Sequence, residues 1–174
     1  MQEFLASIES RAFRMAQIAT LNRDDALDIV QDAMMKLVQK YSDKPPEDWK
    51  PLFYSILQTR ILDWHRRQSV RNRLRSWLWF ADDESDSEDS LEQIADTLNQ
   101  TPDKLLQDAE FSTALNLALS GLPVRQQQVF LLRLWEGLDI RDTAIVMKCS
   151  ESSVKTHYAR ALEKLREQLQ HHHI

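Results

Sequence analysis

The sequence predicts an all-α protein in which an acidic, flexible linker joins two small helical domains. Among its 174 residues are only two glycines and five prolines, so the tight turns that connect the strands of a sheet are nearly absent. Apolar residues recur at helical spacing in both halves of the chain. A stretch of high charge and low hydrophobicity separates these halves. We therefore expect domains at 1–80 and 101–174, with the linker at 81–100.

The charge of the chain is unevenly distributed. The total is −5, but the segment 81–110 holds eleven acidic residues and one lysine, a net charge of −10. The remainder therefore carries a net charge of +5, the sign that binding to nucleic acid requires. The acidic segment is interpreted as a solvated linker, and masking of the basic surfaces by this segment is the alternative interpretation.

The residue inventory excludes several classes of function. The single cysteine, Cys149, can form no intramolecular disulfide and is expected to be a small apolar residue in a reducing cytoplasm. No apolar run is long enough to span a bilayer and the N-terminus lacks a signal-peptide pattern, so a cytoplasmic protein without membrane insertion is expected. The sequence has no Gly-rich phosphate loop, no metal-ligand spacing and no nucleophile–base pair. We therefore expect no enzyme, cofactor or small-molecule substrate, and no metal site, including at His171–His173.

Residues 4–41 have helical apolar spacing with a polar interruption at 21–25, which predicts two helices. The second helix has an outward face that contains Asp28, Gln31 and Asp32. No His or Cys accompanies these carboxylates, so a solvated or protein-binding face is favoured over a metal or acid–base site. The expected buried stripe of this helix consists of Ala26, Ile29, Val30, Ala33, Met34, Leu37 and Val38.

A third helix is predicted to start near Lys50 and to run to about Gln68, where a basic stretch with interleaved aromatic residues begins. Cations neutralise phosphates and exposed aromatic rings stack on unpaired bases, so this stretch is expected to bind single-stranded nucleic acid. The alternative places Tyr54 and Trp64 in the core, and the role of 77–80 is left open. The expected buried residues are Phe53, Ile56, Leu57, Ile61 and Trp64, and the basic residues are Arg60, His65, Arg66, Arg67, Arg71, Arg73 and Arg75.

The C-terminal domain is predicted to begin at Thr101, because a capping residue is followed there by a proline and an acid. Its first helix is expected to stop at Gly121 and its second at Gly137. The expected buried residues are Leu105, Leu106, Ala109, Leu115 and Leu119 in the first helix, and Val129, Phe130, Leu132 and Leu134 in the second.

The stretch from Gly137 to Arg166 is predicted to be a helix-turn-helix. Asp139 can cap a first short helix and Ser150 a second one, with a break at 148–150 between them. The expected buried residues are Ile140, Ala144, Ile145 and Met147, then Val154, Tyr158, Ala161, Leu162, Leu165 and Leu169. The outward residues of the second helix are Ser152, Lys155, Thr156, Arg160 and Lys164. These residue types can read base edges in the major groove, whereas the alternative is a solvated helix face.

Two parts of the chain resemble the extracytoplasmic-function group of bacterial sigma factors. Residues 26–34 are similar to the family's helix that docks on the clamp of RNA polymerase, and Asp28, Gln31 and Asp32 match its polar contact positions. Residues 52–67 are similar to the helix that binds and opens the minus-ten promoter element. The resemblance implies that this element is contacted by Arg60, Asp63, Trp64, Arg66 and Arg67.

The C-terminal half resembles the fourth region of the same family, at 122–133 and at 154–166. This resemblance implies that the second helix of the helix-turn-helix reads the minus-35 element. The residues implied in that contact are Ser152, Ser153, Lys155, Thr156 and Arg160. Lys148 stands where the family usually has a glycine, so a positive φ at this position is expected to be mildly strained.

These observations predict a sigma factor that performs no bond chemistry. It is expected to bind RNA polymerase core, to recognise and open promoter DNA, and to be held by an anti-sigma factor, as the family resemblance implies. The alternative is an autonomous, dimeric helix-turn-helix regulator, which needs a dimer interface and a palindromic site. A helical adaptor or small enzyme that does not touch DNA is a further alternative.

Overall fold

The computed structural model describes residues 1–79 and 112–170, with side chains at 1–73 and 112–170. Helices and short turns account for the described residues, and no strand occurs among them, which confirms the all-α prediction. The predicted linker, the helix start at Thr101, the side chains of 77–80 and the terminal histidines lie outside this part. The helices are α1 Gln2–Thr20, α2 Arg23–Tyr41, α3 Pro46–Trp79, α4 at 112–120, α5 Val124–Leu134, α6 Ile140–Met147 and α7 Glu151–Leu169.

A two-residue turn joins α1 to α2, where the sequence predicted a longer interruption at 21–25. Leu21 adopts a left-handed conformation, with φ 53° and ψ 21°. The side chain of Asn22 then accepts a hydrogen bond of 2.9 Å from the backbone N–H of Asp25 and caps α2. The predicted core stripe of α2 is buried except at Met34, which is half-buried, and at Val38, which is 42% exposed. Consecutive helical residues are 100° apart, which carries Val38 off the inner face.

Helix α3 is longer at both ends than the predicted span from about Lys50 to Gln68. It starts at Pro46 and continues to Trp79, a length of about 51 Å at 1.5 Å per residue. Pro46 takes the first helical position, where a missing N–H costs no hydrogen bond. Pro51 lies inside the helix and removes one backbone hydrogen bond there.

The C-terminal half is a compact cluster of α4 to α7. All seven residues from Gln126 to Leu132 are buried, because α5 packs against α6, α7 and α1. Two predicted core residues are exposed instead, Leu134 by 53% and Ile145 by 58%. The inner face of α6 is formed by Thr143, Ala144, Val146 and Met147. Ile145 is wrongly predicted because it lies on the opposite side of this short helix.

The two halves pack against each other, with α6 on α3 and α5 on α1. Their buried apolar residues form one cluster that runs from Ile8 to Leu165. Within the described residues, no helix combines the length and the apolar character needed to cross a bilayer. This packing places the face of α2 with Asp28, the basic end of α3 and the outer face of α7 on the surface of one molecule.

Candidate nucleic-acid and protein interfaces

The predicted helix-turn-helix is formed by α6 and α7. The carboxylate of Asp139 accepts a 2.7 Å hydrogen bond from the N–H of Asp142 and caps α6. Lys148 ends α6 in the left-handed region, with φ 52° and ψ 51°. The hydroxyl of Ser150 then accepts a 3.1 Å hydrogen bond from the N–H of Ser153 and starts α7. Both predicted caps and the positive φ at Lys148 are therefore confirmed.

Two arginines of α5 hold this motif in place. Arg125 donates a 3.0 Å hydrogen bond from Nη1 to the carbonyl oxygen of Met147, at the end of α6. Arg133 donates to the carbonyl oxygen of Leu138, just before α6, and its guanidinium lies 5.8 Å from the ring centre of Tyr158 on α7. These positioning roles of the two half-buried arginines went unpredicted, because helical periodicity does not show which cations reach the carbonyl oxygens of other elements.

The outer face of α7 carries the residues that the sequence assigns to the minus-35 element. Ser152, Lys155, Thr156 and Arg160 are exposed, while Val154, Ala161 and Leu165 are buried on the opposite face. The hydroxyl of Thr156 donates to the carbonyl oxygen of Ser152 at 3.0 Å, so its methyl group and oxygen lone pairs are what it offers outward. The face combines two cations with small polar groups on one helix.

Ser153 differs from the other residues of this set. It is half-buried, and its Oγ lies 2.8 Å from the Oγ of Ser150. The hydroxyl of Ser152 also reaches Ser150, at 2.9 Å. The three serines therefore form a small hydroxyl cluster at the N-terminus of α7. Backbone N–H groups at such an end attract anionic groups such as phosphates.

The basic part of α3 presents an arginine-rich surface. Arg66 and Arg67 are exposed, whereas Arg60 and Asp63 are half-buried. A carboxylate oxygen of Asp63 lies 3.5 Å from Nη1 of Arg66, in an ion pair one helical turn apart. The Nε of Arg60 is buried and has no hydrogen-bond partner among the described residues. Within 60–67 the exposed cations available to a phosphate are therefore Arg66 and Arg67, and the exposed Arg71 continues this surface one turn farther along α3.

Trp64 and His65 pack against each other instead of adding to this basic surface. Their ring centres are 5.1 Å apart in an edge-on arrangement, and both side chains are half-buried. Burial lowers the pKa of His65 below its usual value of 6.5, so the imidazole is neutral at pH 7. His65 therefore contributes no charge to the stretch in which the sequence counted it. Tyr54, whose placement was left open, is fully buried.

The outer face of α2 joins acidic and apolar groups. Asp28, Gln31 and Asp32 are exposed, as the sequence predicts. Leu27 and Met35 beside them are 39% and 58% exposed. Exposed apolar side chains rimmed by polar groups are typical of a surface that docks a protein partner. In the described part of the chain, no group of three or more His, Cys, Asp or Glu is arranged to hold a metal ion.

Comparison with known proteins identifies the family. Residues 112–165 match the family model for region 4 of sigma-70. The RNA polymerase sigma factor SigV of Bacillus subtilis is 32% identical over 158 residues, which cover 90% of this chain and 83% of the relative. The extracytoplasmic-function sigma factor SigX of the same organism is 26% identical over 152 residues, which cover 86% of this chain and 73% of the relative.

A solved structure has the same fold along nearly the whole chain. The co-crystal structure of the sigma factor RpoE with the anti-sigma factor NepR, from Bartonella quintana, matches with a TM-score of 0.64 and 22% identity. The match covers 98% of each chain. These relatives do not favour the alternative interpretation of the sequence, an autonomous dimeric helix-turn-helix regulator. Taken with the helix-turn-helix of α6 and α7 and the identity to SigV, these matches show that the chain belongs to the extracytoplasmic-function sigma factors, which direct RNA polymerase in transcription initiation.

Proposed function

We propose that the two halves of this sigma factor recognise different parts of the promoter. Residues 1–80 act as the domain that binds the polymerase clamp and the minus-ten element, and residues 101–174 act as the domain that binds the minus-35 element. The acidic linker at 81–100 connects them. This division follows the family resemblance and agrees with the placement of the three candidate surfaces on α2, α3 and α7.

The outer face of α7 reads the minus-35 element in the major groove. The observation that carries this proposal is the exposure of Ser152, Lys155, Thr156 and Arg160 on one face of a capped helix in a helix-turn-helix. Lys155 and Arg160 can donate to the guanine O6 and N7 acceptors, and the methyl group of Thr156 can contact a thymine methyl. The hydroxyl cluster that includes Ser153 sits at the helix N-terminus, where it contacts the phosphate backbone.

The basic end of α3 captures the opened minus-ten strand. Arg66 and Arg67 neutralise its phosphates, and the ion pair with Arg66 orients Asp63. Arg60 and Trp64 line the inner edge of this surface, where their half-buried side chains contact an unstacked base. Melted strands are held by cations and ring contacts, so this surface suits single-stranded DNA better than duplex DNA.

The acidic and apolar face of α2 binds RNA polymerase core through Asp28, Gln31 and Asp32. The negative charges select a basic partner surface, and Leu27 and Met35 supply apolar area. By analogy with the RpoE complex, we also propose an anti-sigma factor as a partner. The chain carries out no catalysis of its own in this scheme. It acts in the cytoplasm, where polymerase and promoter DNA are located.

In-vitro transcription from a library of promoter fragments, with core polymerase in the presence and absence of the chain, tests the proposal. We expect specific start sites that require the chain, each with both promoter elements upstream. Replacement of Arg160 by Ala should weaken promoter binding by the holoenzyme by about 1–3 kcal/mol and relax base preference at one minus-35 position. The matched control is Arg14→Ala, which removes an exposed arginine from α1 and should leave both measurements unchanged.

Two outcomes would contradict the proposal. Unchanged promoter affinity and base preference in Arg160→Ala would show that the outer face of α7 does not read the minus-35 element. A stable homodimer in light scattering that binds duplex DNA tightly without polymerase would favour an autonomous regulator.

A further inference from the structure

Thr156 occupies the centre of the outer face of α7. At about 100° per residue, it lies about 180° around the helix from the buried Leu165 and about 160° from the buried Val154. Its side chain is exposed, and Ser152 and Ala159 beside it on the same face are exposed and small. Small neighbours let the helix backbone come close to the base edges in the major groove. The short side chain of Thr156 is therefore placed to contact a base.

A hydrogen bond fixes what the hydroxyl of Thr156 can do. Its Oγ1 lies 3.0 Å from the carbonyl oxygen of Ser152. A carbonyl oxygen can only accept, so the single hydroxyl proton of Thr156 is used in this bond. The same bond selects one of the two rotamers that threonine populates in a helix, which also fixes the direction of the methyl group. Thr156 therefore offers a base oxygen lone pairs and a methyl group, but no donor.

The serine hydroxyls at the N-terminus of α7 have partners of their own. The hydroxyl of Ser150 has one proton and two lone pairs, and it accepts the N–H of Ser153 at 3.1 Å. One donor and one acceptor then remain for the hydroxyls of Ser152 and Ser153, which lie 2.9 and 2.8 Å away. Both of these hydroxyls are thus engaged within the cluster. Thr156 remains as the short polar side chain in the middle of the outer face.

An acceptor that lacks a donor discriminates among the four bases. In the major groove, adenine and cytosine each present an amino donor and thymine presents a methyl group, whereas guanine presents only the acceptors N7 and O6. The lone pairs of Thr156 can therefore bond to adenine or cytosine, and its methyl group can contact thymine. Opposite guanine, acceptors face acceptors, and neither group regains the hydrogen bond that it makes to water.

The cations beside Thr156 have the opposite preference. Lys155 and Arg160 are exposed, and they lie about 100° and about 40° around the helix from Thr156, on opposite sides of it. Their side chains are donors only, which suits the acceptors of guanine. The outer face of α7 therefore combines donors at its flanks with an acceptor at its centre.

We propose that Thr156 excludes guanine from the base of the minus-35 element that it contacts. This inference rests on the proposed role of α7 and adds a rule for one base of the element. The carbonyl oxygen of Ser152 enforces the rule, because it withholds the proton that a free hydroxyl could donate to guanine. The flanking cations cannot supply this selection, since they favour the base that Thr156 rejects.

A promoter library with random bases throughout the minus-35 element tests the exclusion. The holoenzyme, formed from core polymerase and the full chain, binds the library, and the bound fragments are sequenced. Thr156→Val removes the lone pairs and keeps the shape and the methyl group, so the base preference should change at one position. On the contacted strand at that position, the wild type should deplete guanine at least about fivefold, the low end of the usual effect of one mismatch. In Thr156→Val, adenine and cytosine should fall to the level of guanine.

Thr156→Lys gives a reversal that identifies the contacted strand. It replaces an acceptor by a donor, so the base that the wild type depletes should become the enriched base at the same position. The matched control, Gln168→Lys, adds the same charge at an exposed position of α7 away from the outer face and should leave this preference unchanged. Base preferences are ratios within one sample, so a smaller fraction of folded protein does not alter them.

The outcomes separate this inference from the proposed function. If Arg160→Ala changes a base preference and neither Thr156 variant does, Thr156 reads no base, and the inference is refuted while the proposed function stands. If none of the three variants changes any position, the proposed function fails as well. Enrichment by Thr156→Lys of a base other than the depleted one would overturn the acceptor rule. In the free chain, three-bond couplings to the methyl carbon of Thr156 should report one rotamer, and averaging over rotamers would overturn the fixed hydroxyl.

Discussion

Replacing Lys148 by glycine should stabilise the protein. Lys148 has φ 52° and ψ 51°, a left-handed conformation that costs a residue with a side chain about 1–2 kcal/mol. Its side chain is exposed, so the replacement removes no core packing. Glycine has more conformational entropy than lysine in the unfolded chain, which stabilises the unfolded state by roughly 0.4–1 kcal/mol and offsets part of the relief of strain. The net expectation is a gain of about 1 kcal/mol in the free energy of unfolding, or a melting temperature about 2–4 °C higher for a chain of this size.

Urea unfolding followed by circular dichroism measures this gain. The midpoint should rise while the slope with denaturant stays unchanged, because the buried surface is the same. Gly137→Ala is the mirror control: Gly137 has φ +65°, and an added Cβ meets no atom within 4 Å. Gly137→Ala should lower the free energy of unfolding by about the same amount, since backbone strain is the only cost of this replacement. A neutral or destabilising Lys148→Gly beside a destabilising Gly137→Ala would refute the reasoning and assign Lys148 a stabilising contact that exceeds the strain.

Two further predictions concern protonation and capping. Because burial lowers the pKa of His65 below 6.5, the unfolded chain binds a proton below that pH that the folded chain excludes. The free energy of unfolding should therefore fall as the pH drops below 6.5. Urea titrations at pH 5 and pH 8 should show a smaller fall in His65→Gln than in the wild type. Identical pH dependence in the two proteins would contradict this prediction. Ser150→Ala removes the acceptor for the N–H of Ser153 and should cost about 1 kcal/mol of unfolding free energy, whereas Ser150→Asp should retain most of it; equal losses in both variants would show that the cap is not the cause.

Local chemistry made several elements predictable from the sequence. Asp139 and Ser150 act as caps because a short polar side chain before a helix can reach the free N–H groups of its first turn. The outer face of α7 followed from the helical period, since Val154, Ala161 and Leu165 fix the inner side. Whether Lys155 and Arg160 contact DNA stays a prediction.

Other features depended on contacts that no local pattern contains. The predicted start of α3 near Lys50 was wrong, because Pro46 and Pro51 both suit a first helical turn and the sequence does not show that Trp49, in the added turn, packs against Phe4 of α1 with ring centres 5.9 Å apart. Lys50 bonds to Glu136 across 86 residues of chain, so neither residue signals the other in sequence. Burial raises the pKa of Tyr54, and Glu136, which belongs to the other half of the chain, raises it further, so this environment is likewise absent from the local sequence.

The length of α3 makes salt act in two opposing ways. Beyond Trp64 its described side chains are mostly exposed, and Arg67 and Arg71 repel each other one turn apart. Added salt screens this repulsion and so stabilises the end of α3, yet it also weakens attraction to the DNA backbone. A bound strand supplies the same screening from its own phosphates. Strand capture therefore also relieves repulsion within α3, and added salt should stabilise the free chain while it weakens promoter binding.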